Sequence, residues 1–471
     1  MATECILLRL AFKRKLQSPA GSPSLRRRAF FRPLRLRRTV YNALASPVDA
    51  RTMTPRLSAR GLSIPASPIR TLVPLGDEAR RRGVRVLHLN IGQPDIETPP
   101  AFRERIRHLE EKVYAYTPSG GTAEYLGALR EYYACLGLTV GMNEVIGTTG
   151  GSEAILFAMN ACTDPGDEVL VVEPFYTNYA AFAAMAGARL VPLTARGEDG
   201  FHLPGREAWE RALTSRTRMV VLCNPNNPTG TVYGREELEA VARFCKDHGL
   251  FLVCDEVYRE FTYDGHSAPS ALSLPGYEEL VVVVDSLSKR YSACGIRLGC
   301  LVTRNRDVYN AALRMAQARL SPPGLAQVAA AALGEVGPEY TRAVVAEYQA
   351  RRDMLYEAVS AIPGAFLRKP EGAFYFVCRL PVLDAEDFAR WMLTDFQHEG
   401  VTVMVAPARG FYATAGLGGN EVRLAYVLHR PDLHLAVRAL EAGLAAYRKT
   451  RGLVVEAVAT AGPDVHVPAE G

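Results

Sequence analysis

Lys289 follows the most apolar run in the chain, Val281–Val284, within Asp285-Ser286-Leu287-Ser288-Lys289-Arg290-Tyr291. An amine there is either a solvated surface charge, the usual fate of lysine, or a desolvated nucleophile that condenses with a carbonyl as a Schiff base. Two acids and a tyrosine follow a second apolar run in Val253-Cys254-Asp255-Glu256-Val257-Tyr258. Asp255 either caps the next helix or points into a cleft as a buried anion in need of a cation. The segment Cys223-Asn224-Pro225-Asn226-Asn227-Pro228-Thr229-Gly230 sets three asparagines around two prolines. A turn needs one Pro and one Gly, so this polar loop reads as functional. Thr148-Thr149-Gly150-Gly151-Ser152-Glu153 joins a strand to a helix. Its glycines and free N–H groups suit an anion such as phosphate, and equally a purely structural turn. Gly295-Ile296-Arg297-Leu298-Gly299 adds a fixed cation. Gly151, Ser152, Ser286 and Arg297 would together cup a phosphate, with Asp255 and Lys289 at opposite ends of a flat ligand.

These residues need a scaffold, and the hydrophobic pattern describes one. Short apolar runs at Val145–Thr148, Glu168–Val172, Ala188–Leu193, Arg218–Cys223, Leu250–Cys254, Leu280–Asp285 and Leu298–Thr303 alternate with amphipathic stretches such as Glu153–Cys162 and Arg235–His248. Near-continuous apolar strands separated by helices predict an α/β domain whose sheet is buried on both faces. Ligands of such sheets lie beyond the C-terminal strand ends, where the polar clusters fall. A long helix, Glu339–Ala361, then strand-like Gly372–Arg379 and Val422–Val427, predict a smaller second domain.

With 471 residues the chain exceeds one hydrophobic core and predicts roughly two to three domains. No uncharged run reaches the roughly 18 residues of a membrane span, so no membrane partner is expected. Nine scattered cysteines, odd in number and without a C-x-x-C pair, exclude a disulfide framework and a zinc knuckle; no metal is expected, and a reducing, cytoplasmic setting is. The net charge of +5 is divided unevenly. Residues 1–52 carry 12 Lys/Arg against Glu4 and Asp49, a net of +10, and the other 419 residues carry a net of −5. The Arg-rich, proline-broken arm admits a transit peptide or a basic interaction arm; it is read here as a disordered extension ahead of Met53. Nucleic acid is therefore not an expected partner of the body. The tail from Arg451 has no apolar period and is expected to fray.

The order of the motifs resembles the class I/II aminotransferases, the fold-type-I family that depends on pyridoxal 5′-phosphate. The resemblance spans about Ala59 to Lys449. It rests on Asn90–Asp95 (NIGQPD), Tyr116–Gly121 (YTPSGG), Gly150–Ala154, Asn224–Gly230, Asp255–Tyr258, Ser286–Lys289, Gly295–Gly299 and Glu421–Ala425 (EVRLA). It implies a large domain with a mostly parallel sheet flanked by helices (99–336). A smaller α/β domain would be built from 53–98 and 337–449, with a flexible tail at 450–471. Lys289 would carry the cofactor and move the substrate proton, Asp255 would pair with the pyridine nitrogen, and Asn227 and Tyr258 would bond the ring oxygen. Tyr176 would stack on the ring. Tyr116 would reach the phosphate in the neighbouring subunit, implying a homodimer with shared active sites. Arg423 would take the substrate α-carboxylate, helped by the Gly92 backbone; read from the residues alone it could be a strand-end salt bridge, but its apolar neighbours in Val422-Arg423-Leu424-Ala425 argue for a cleft arginine. Phe374, Tyr375 and Tyr176 would floor an aromatic pocket, and no residue stands out as a distal cation for an aspartate side chain. Arg409 and Tyr412 belong to a loop near the cleft.

The implied reaction is a ping-pong transfer of an amino group from an L-amino acid, aspartate or aromatic, to 2-oxoglutarate. A β-eliminating cysteine–sulfur lyase would use the same fold and lysine. A cofactor-sensing regulator would need a DNA-binding domain, for which residues 1–52 are too short.

Overall fold

The computed structural model describes residues 55–453. The expected extension at 1–52 and all but the first residues of the expected tail lie outside them. In chain order the strands are β1 (Arg85–His88), β2 (Val145–Thr148), β3 (Glu168–Glu173), β4 (Arg189–Thr194), β5 (Thr217–Cys223), β6 (Phe251–Asp255), β7 (Val281–Ser286), β8 (Gly299–Thr303), β9 (Phe366–Leu367), β10 (Tyr375–Arg379), β11 (Val401–Met404), β12 (Ala406–Pro407) and β13 (Glu421–Ala425).

Seven of them form a sheet in the order β2-β8-β7-β6-β5-β3-β4. Every pairing is parallel except those of β8, which runs against both neighbours. Val282 and Val284 pack into one apolar cluster with helices Gly150–Cys162 and Arg306–Arg319, while Val281 and Val283 pack into another with Ala123–Cys135 and Arg235–His248. The period of two thus sends alternate residues to two buried faces, which is why these strands read as unbroken apolar runs. Each buried valine contributes about 1.5–3 kcal/mol of transfer free energy.

The register fixes where chemistry can gather. Cys223 pairs with Asp255, and Asp255 with Val284, so the C-terminal ends of β5, β6 and β7 lie level. Because β8 is antiparallel, its first residue, Gly299, pairs with both Thr148 and Ser286. Arg297, just before β8, therefore arrives at the edge where the neighbouring strands end. Only glycine permits this at 299: a Cβ there would stand 2.8 Å from the Gly150 carbonyl carbon.

A four-stranded sheet, β12-β13-β10-β9, is antiparallel, and β1 pairs in parallel with β11 some 300 residues away. The helix Pro338–Ser360 buries Arg351 and Arg352 completely; Arg351 bonds Asp95 Oδ1 at 2.7 Å and the Val427 carbonyl at 2.6 Å, and Arg352 bonds the Pro370 carbonyl at 2.6 Å. From Leu57 onward the described chain forms one compact unit. Among the described residues no helix is long and apolar enough to cross a membrane. The last helix, Arg430–Arg451, continues two residues into the expected tail.

Candidate active site

A cavity of about 990 Å³ opens at the level strand ends. Eleven of the twelve site residues expected from the sequence line it: Gly92, Gly151, Ser152, Tyr176, Asn227, Asp255, Tyr258, Ser286, Lys289, Arg297 and Arg423. Tyr116 does not; it is 80% exposed on the outer surface.

Lys289 lies on the short helical turn Leu287–Arg290 directly after β7, and Ser286 Oγ caps that turn by accepting the Ser288 N–H at 3.1 Å. The Lys289 amine donates to the Gly92 carbonyl at 2.7 Å and stands 5.7 and 6.0 Å from the ring centres of Phe374 and Tyr258. It faces apolar walls, with one oxygen acceptor and a longer contact to Cys294 Sγ at 3.9 Å. Gly92 has to be glycine, because a Cβ would overlap the Tyr375 hydroxyl.

Asp255, the last residue of β6, is fully buried. Tyr179 Oη–H donates to its Oδ2 at 2.8 Å, and the Val257 N–H approaches Oδ1 at 3.4 Å. Burial pushes its pKa up to about 6, against the pull of these two hydrogen bonds and with a further push from Asp285 and Glu256. Among the described residues no cation pairs with it, so the site presents a buried anion prepared for a positive partner. Arg423 is the complement. Its Nη1 donates to Asn227 Oδ1 at 3.0 Å and its Nη2 to the Asn90 carbonyl at 2.6 Å, while Nε has no partner. The guanidinium carbon sits 4.4 Å from the Tyr375 ring centre and 5.0 Å from that of Phe411, and burial lowers its pKa. A buried cation without a carboxylate, bonded on one side only, is prepared for a planar oxyanion.

The Tyr258 and Tyr375 hydroxyls share a hydrogen bond at 3.0 Å, and burial holds the Tyr258 phenol well above its usual range. Burial also lifts Tyr176 to about 12; its hydroxyl accepts from Asn178 Nδ2 at 2.7 Å and its ring packs edge-on against Tyr179. At the other end, the N-terminus of Gly150–Cys162, the Ser152 and Ser286 side chains and the exposed Arg297 face one space. Arg297 donates to the Cys294 carbonyl at 3.1 Å and is otherwise open. Helix-terminal N–H groups, hydroxyls and one guanidinium form a donor set that fits a phosphate dianion. Asp255 likewise fits a protonated ring nitrogen, and the Lys289 amine a carbonyl carbon. Together these fit pyridoxal 5′-phosphate.

Beneath the turn that carries Lys289 lies a buried ionic network. Asp285 Oδ2 accepts from Arg290 Nη2 at 2.7 Å and Arg259 Nη2 at 3.2 Å, its Oδ1 accepts the Ser286 N–H at 2.7 Å, and Arg259 pairs with Glu256. The Arg290 guanidinium also lies 3.9 Å from the Tyr132 ring centre. Sequence reading missed this network, together with Tyr179, Asn178 and Val257. Asn178 and Tyr179 open the helix that follows β3, beyond the same C-terminal edge of the sheet at which Asp255 ends β6, so the strand-end rule was the available signal. Of the proposed aromatic floor, Tyr375 and Tyr176 line the cavity, whereas Phe374 lies wholly buried behind it. Arg409 and Tyr412 pair with Asp384 and Glu421 and do not line it.

Comparison with known proteins agrees with this geometry. The family model described as aminotransferase class I and II matches residues 84–440. An aspartate/prephenate aminotransferase of Thermus thermophilus is 33% identical over 367 residues, which is 76% of this chain and 91% of that protein. An aspartate aminotransferase of Pinus pinaster is 31% identical over 408 residues, 83% of this chain and 81% of that protein. The solved structure of Thermus thermophilus aspartate aminotransferase with maleate superposes with a TM-score of 0.74 at 32% identity, covering 83% of this chain and all of that one. The chain belongs to the class I and II aminotransferases.

Proposed function

We propose that this aminotransferase moves the amino group of an L-amino acid, aspartate foremost, to a 2-oxo acid such as 2-oxoglutarate, using pyridoxal 5′-phosphate bound at Lys289. One observation carries the reading: Lys289, Asp255 and Arg423 meet in a single cavity, each lacking a charge partner among the described residues. The cofactor supplies an electrophilic carbonyl and an electron-accepting ring. Asp255 would pair with the ring nitrogen and hold its proton. Asn227 and Tyr258 would hydrogen-bond the ring oxygen, and Tyr176 would lie against the ring. Gly151, Ser152, Ser286 and Arg297 would grip the phosphate. Arg423 binds the α-carboxylate by a two-pronged guanidinium bond, with the Gly92 backbone beside it, and so presents the α-hydrogen to the Lys289 amine. Lys289 Nζ would accept that proton from the substrate α-carbon and hold it for return. The aromatic walls exclude water from the transfer.

A dimer with shared sites is part of the proposal. Ile106, Val113, Tyr114, Tyr116, Leu320 and Leu325 are all exposed, between 41% and 80%, and Thr117 bonds Gln327 at 2.8 Å, which brings the two segments side by side. Such an apolar surface suits a second copy of the chain, and Tyr116 would then reach the neighbour's phosphate. The pairing of β1 with β11 supports grouping 53–98 with 337–449 as the smaller domain beside 99–336. Eight described cysteines are free, most of them buried, which suits a reducing, cytoplasmic setting.

The test is an absorbance titration of the full chain loaded with cofactor. L-aspartate should discharge the visible band of the lysine-bound cofactor, and 2-oxoglutarate should restore it. Lys289→Ala should retain cofactor through the phosphate grip and lose turnover. Pyruvate released from cystathionine without an oxo-acid acceptor would replace the reading with β-elimination.

A further inference from the structure

Glu173, the last residue of β3, is a fully buried carboxylate, and among the described residues no cation pairs with it. Three donors hold it instead. Thr194 Oγ1–H, on the neighbouring strand β4, donates to Oε1 at 2.7 Å, and the Ala413 and Thr414 N–H groups donate to Oε2 at 2.7 and 3.1 Å. Two of the three donors thus come from one short segment, in which the side chains of Ala413 and Thr414 are exposed. A buried charge without a counter-ion has to be satisfied by hydrogen bonds. The Glu173 carboxylate is therefore satisfied only while that segment is seated on it.

The two strands of chain joined in this way both lead into the site. The Phe175 N–H donates to the Phe411 carbonyl at 2.9 Å, which extends the seam begun by Glu173. On one side of the seam Tyr176 lines the cavity. On the other, Phe411 is wholly buried, with its ring centre 5.0 Å from the Arg423 guanidinium carbon. Of the two rings beside that guanidinium, Tyr375 belongs to β10 and is bonded to Tyr258. Phe411 lies outside any strand, between Arg409, which pairs with Asp384 at 3.1 Å, and Tyr412, which donates to Glu421 at 2.6 Å. Glu173 is the charged tie between this segment and the strand end that carries Tyr176.

We propose that Glu173 is a positioning residue for carboxylate recognition: by seating segment 411–414 it holds Phe411 against the Arg423 guanidinium and so fixes the plane in which that guanidinium meets a carboxylate. The inference rests on the function proposed above, in which Arg423 takes the α-carboxylate. Glu173 touches neither substrate nor cofactor, and it acts through Phe411. Every amino acid presents an α-carboxylate, so the effect is uniform across substrates and sets no side-chain preference. Linkage makes the coupling reciprocal: a carboxylate bound at Arg423 favours the seated segment by the same factor.

The experiment compares the cofactor-loaded full chain with Glu173→Gln, Glu173→Ala and Thr414→Pro. E173Q keeps an amide oxygen for the two N–H groups without the charge, E173A removes the acceptor, and T414P removes one donor from an exposed position. Two quantities are read. One is the affinity for butyrate, a bare carboxylate, from the cofactor absorbance. The other is the rate of tryptic cleavage after Arg409, which is exposed just ahead of the segment, from the mass of the fragment that begins at Gly410. Butyrate affinity should fall roughly 10-fold in E173A, the worth of one charge-assisted hydrogen bond, and roughly threefold in E173Q and T414P. Cleavage should quicken in the same order, and butyrate should slow it in the wild type. Faster cleavage with unchanged butyrate affinity, or weaker butyrate binding with unchanged cleavage, would overturn the proposal. Should E173A fail to fold, the same two readouts on E173Q and T414P decide. Butyrate affinity that follows the seating of the segment, in a protein that transaminates no amino acid, would support Glu173 and overturn the aminotransferase mechanism instead.

Discussion

Asp255 shows what a single residue contributes when its partner is a ligand. Its carboxyl is fully buried, raised from the ordinary 3.8 to about 6 mainly by that burial, and bonded by Tyr179 and Val257. In the cofactor-free protein the folded state therefore binds more protons than the unfolded state between these values. Stability falls as pH rises through that window and stays reduced above it. Asp255→Asn keeps an acceptor for Tyr179 and removes the charge. Cofactor-free D255N should be more stable than the wild type at pH 8, by on the order of 3 kcal/mol, and closely matched at pH 4. Denaturant unfolding at the two pH values measures this, and equal midpoints at pH 8 would contradict it. The same variant should bind cofactor more weakly and turn over slowly, because the ring nitrogen loses its counter-charge. On the proposed function, the residue that would stabilise the loaded site thus destabilises the empty one. Arg423 follows the same logic with opposite sign: its lowered pKa and unpartnered Nε mark a cation waiting for an anion.

At the scale of elements, the strands of the main sheet were legible because all but the edge strand β4 are buried on both faces, and a run such as Val281–Val284 has few other uses. Their C-terminal polar clusters were legible for the same reason, since residues at a strand end must leave the core. The reversed direction of β8 was not legible: it follows from pairing with β2 and β7, which local periodicity does not encode. Nor was the Asp285–Arg290–Arg259–Glu256 network, whose members each resemble ordinary surface charges in sequence. A further cross-element contact has the same character. His202 bonds Glu237 at 3.1 Å and faces Glu371 at 3.6 Å, and Glu371 accepts the Val232 N–H at 3.0 Å. His266 approaches Glu371 from the other side, at 4.0 Å. The hydrogen bond to Glu237, then that to Glu371, raises His202 from 6.5 to about 10. A raised folded-state pKa gives stability that is complete below about pH 6.5 and is lost as pH rises through about 10. His202→Gln should therefore lower Tm at pH 6 and leave it nearly unchanged at pH 10.5, giving a flatter alkaline limb. A uniform drop at every pH would assign His202 a packing role only.

At the scale of the whole molecule, the residue that does not line the cavity becomes informative. Tyr116 lies on an exposed apolar surface with Val113 and Tyr114, beside Leu320 and Leu325, while the other eleven site residues share one pocket within a single chain. On the proposed function, a phenol that would belong to the phosphate grip but stands outside its own cavity acts only if a second copy brings a cavity to it. The two variants that test this separate assembly from contact. Tyr116→Phe removes one hydroxyl and leaves the apolar surface intact. It should remain dimeric by sedimentation and bind cofactor roughly 3- to 10-fold more weakly, the worth of one hydrogen bond to a charged group. The double variant Tyr114→Asp with Leu325→Asp places charges in the surface itself. It should sediment as a folded monomer with unchanged helix content, and its cofactor affinity should fall at least as far as that of Y116F, because the phenol then has no neighbour to reach. Adding Y116F to that monomer should cause no further loss, since a contact already absent cannot be removed twice. If the monomer binds cofactor as tightly as the wild type, the phosphate grip is complete within one chain, and the exposed tyrosine serves assembly alone.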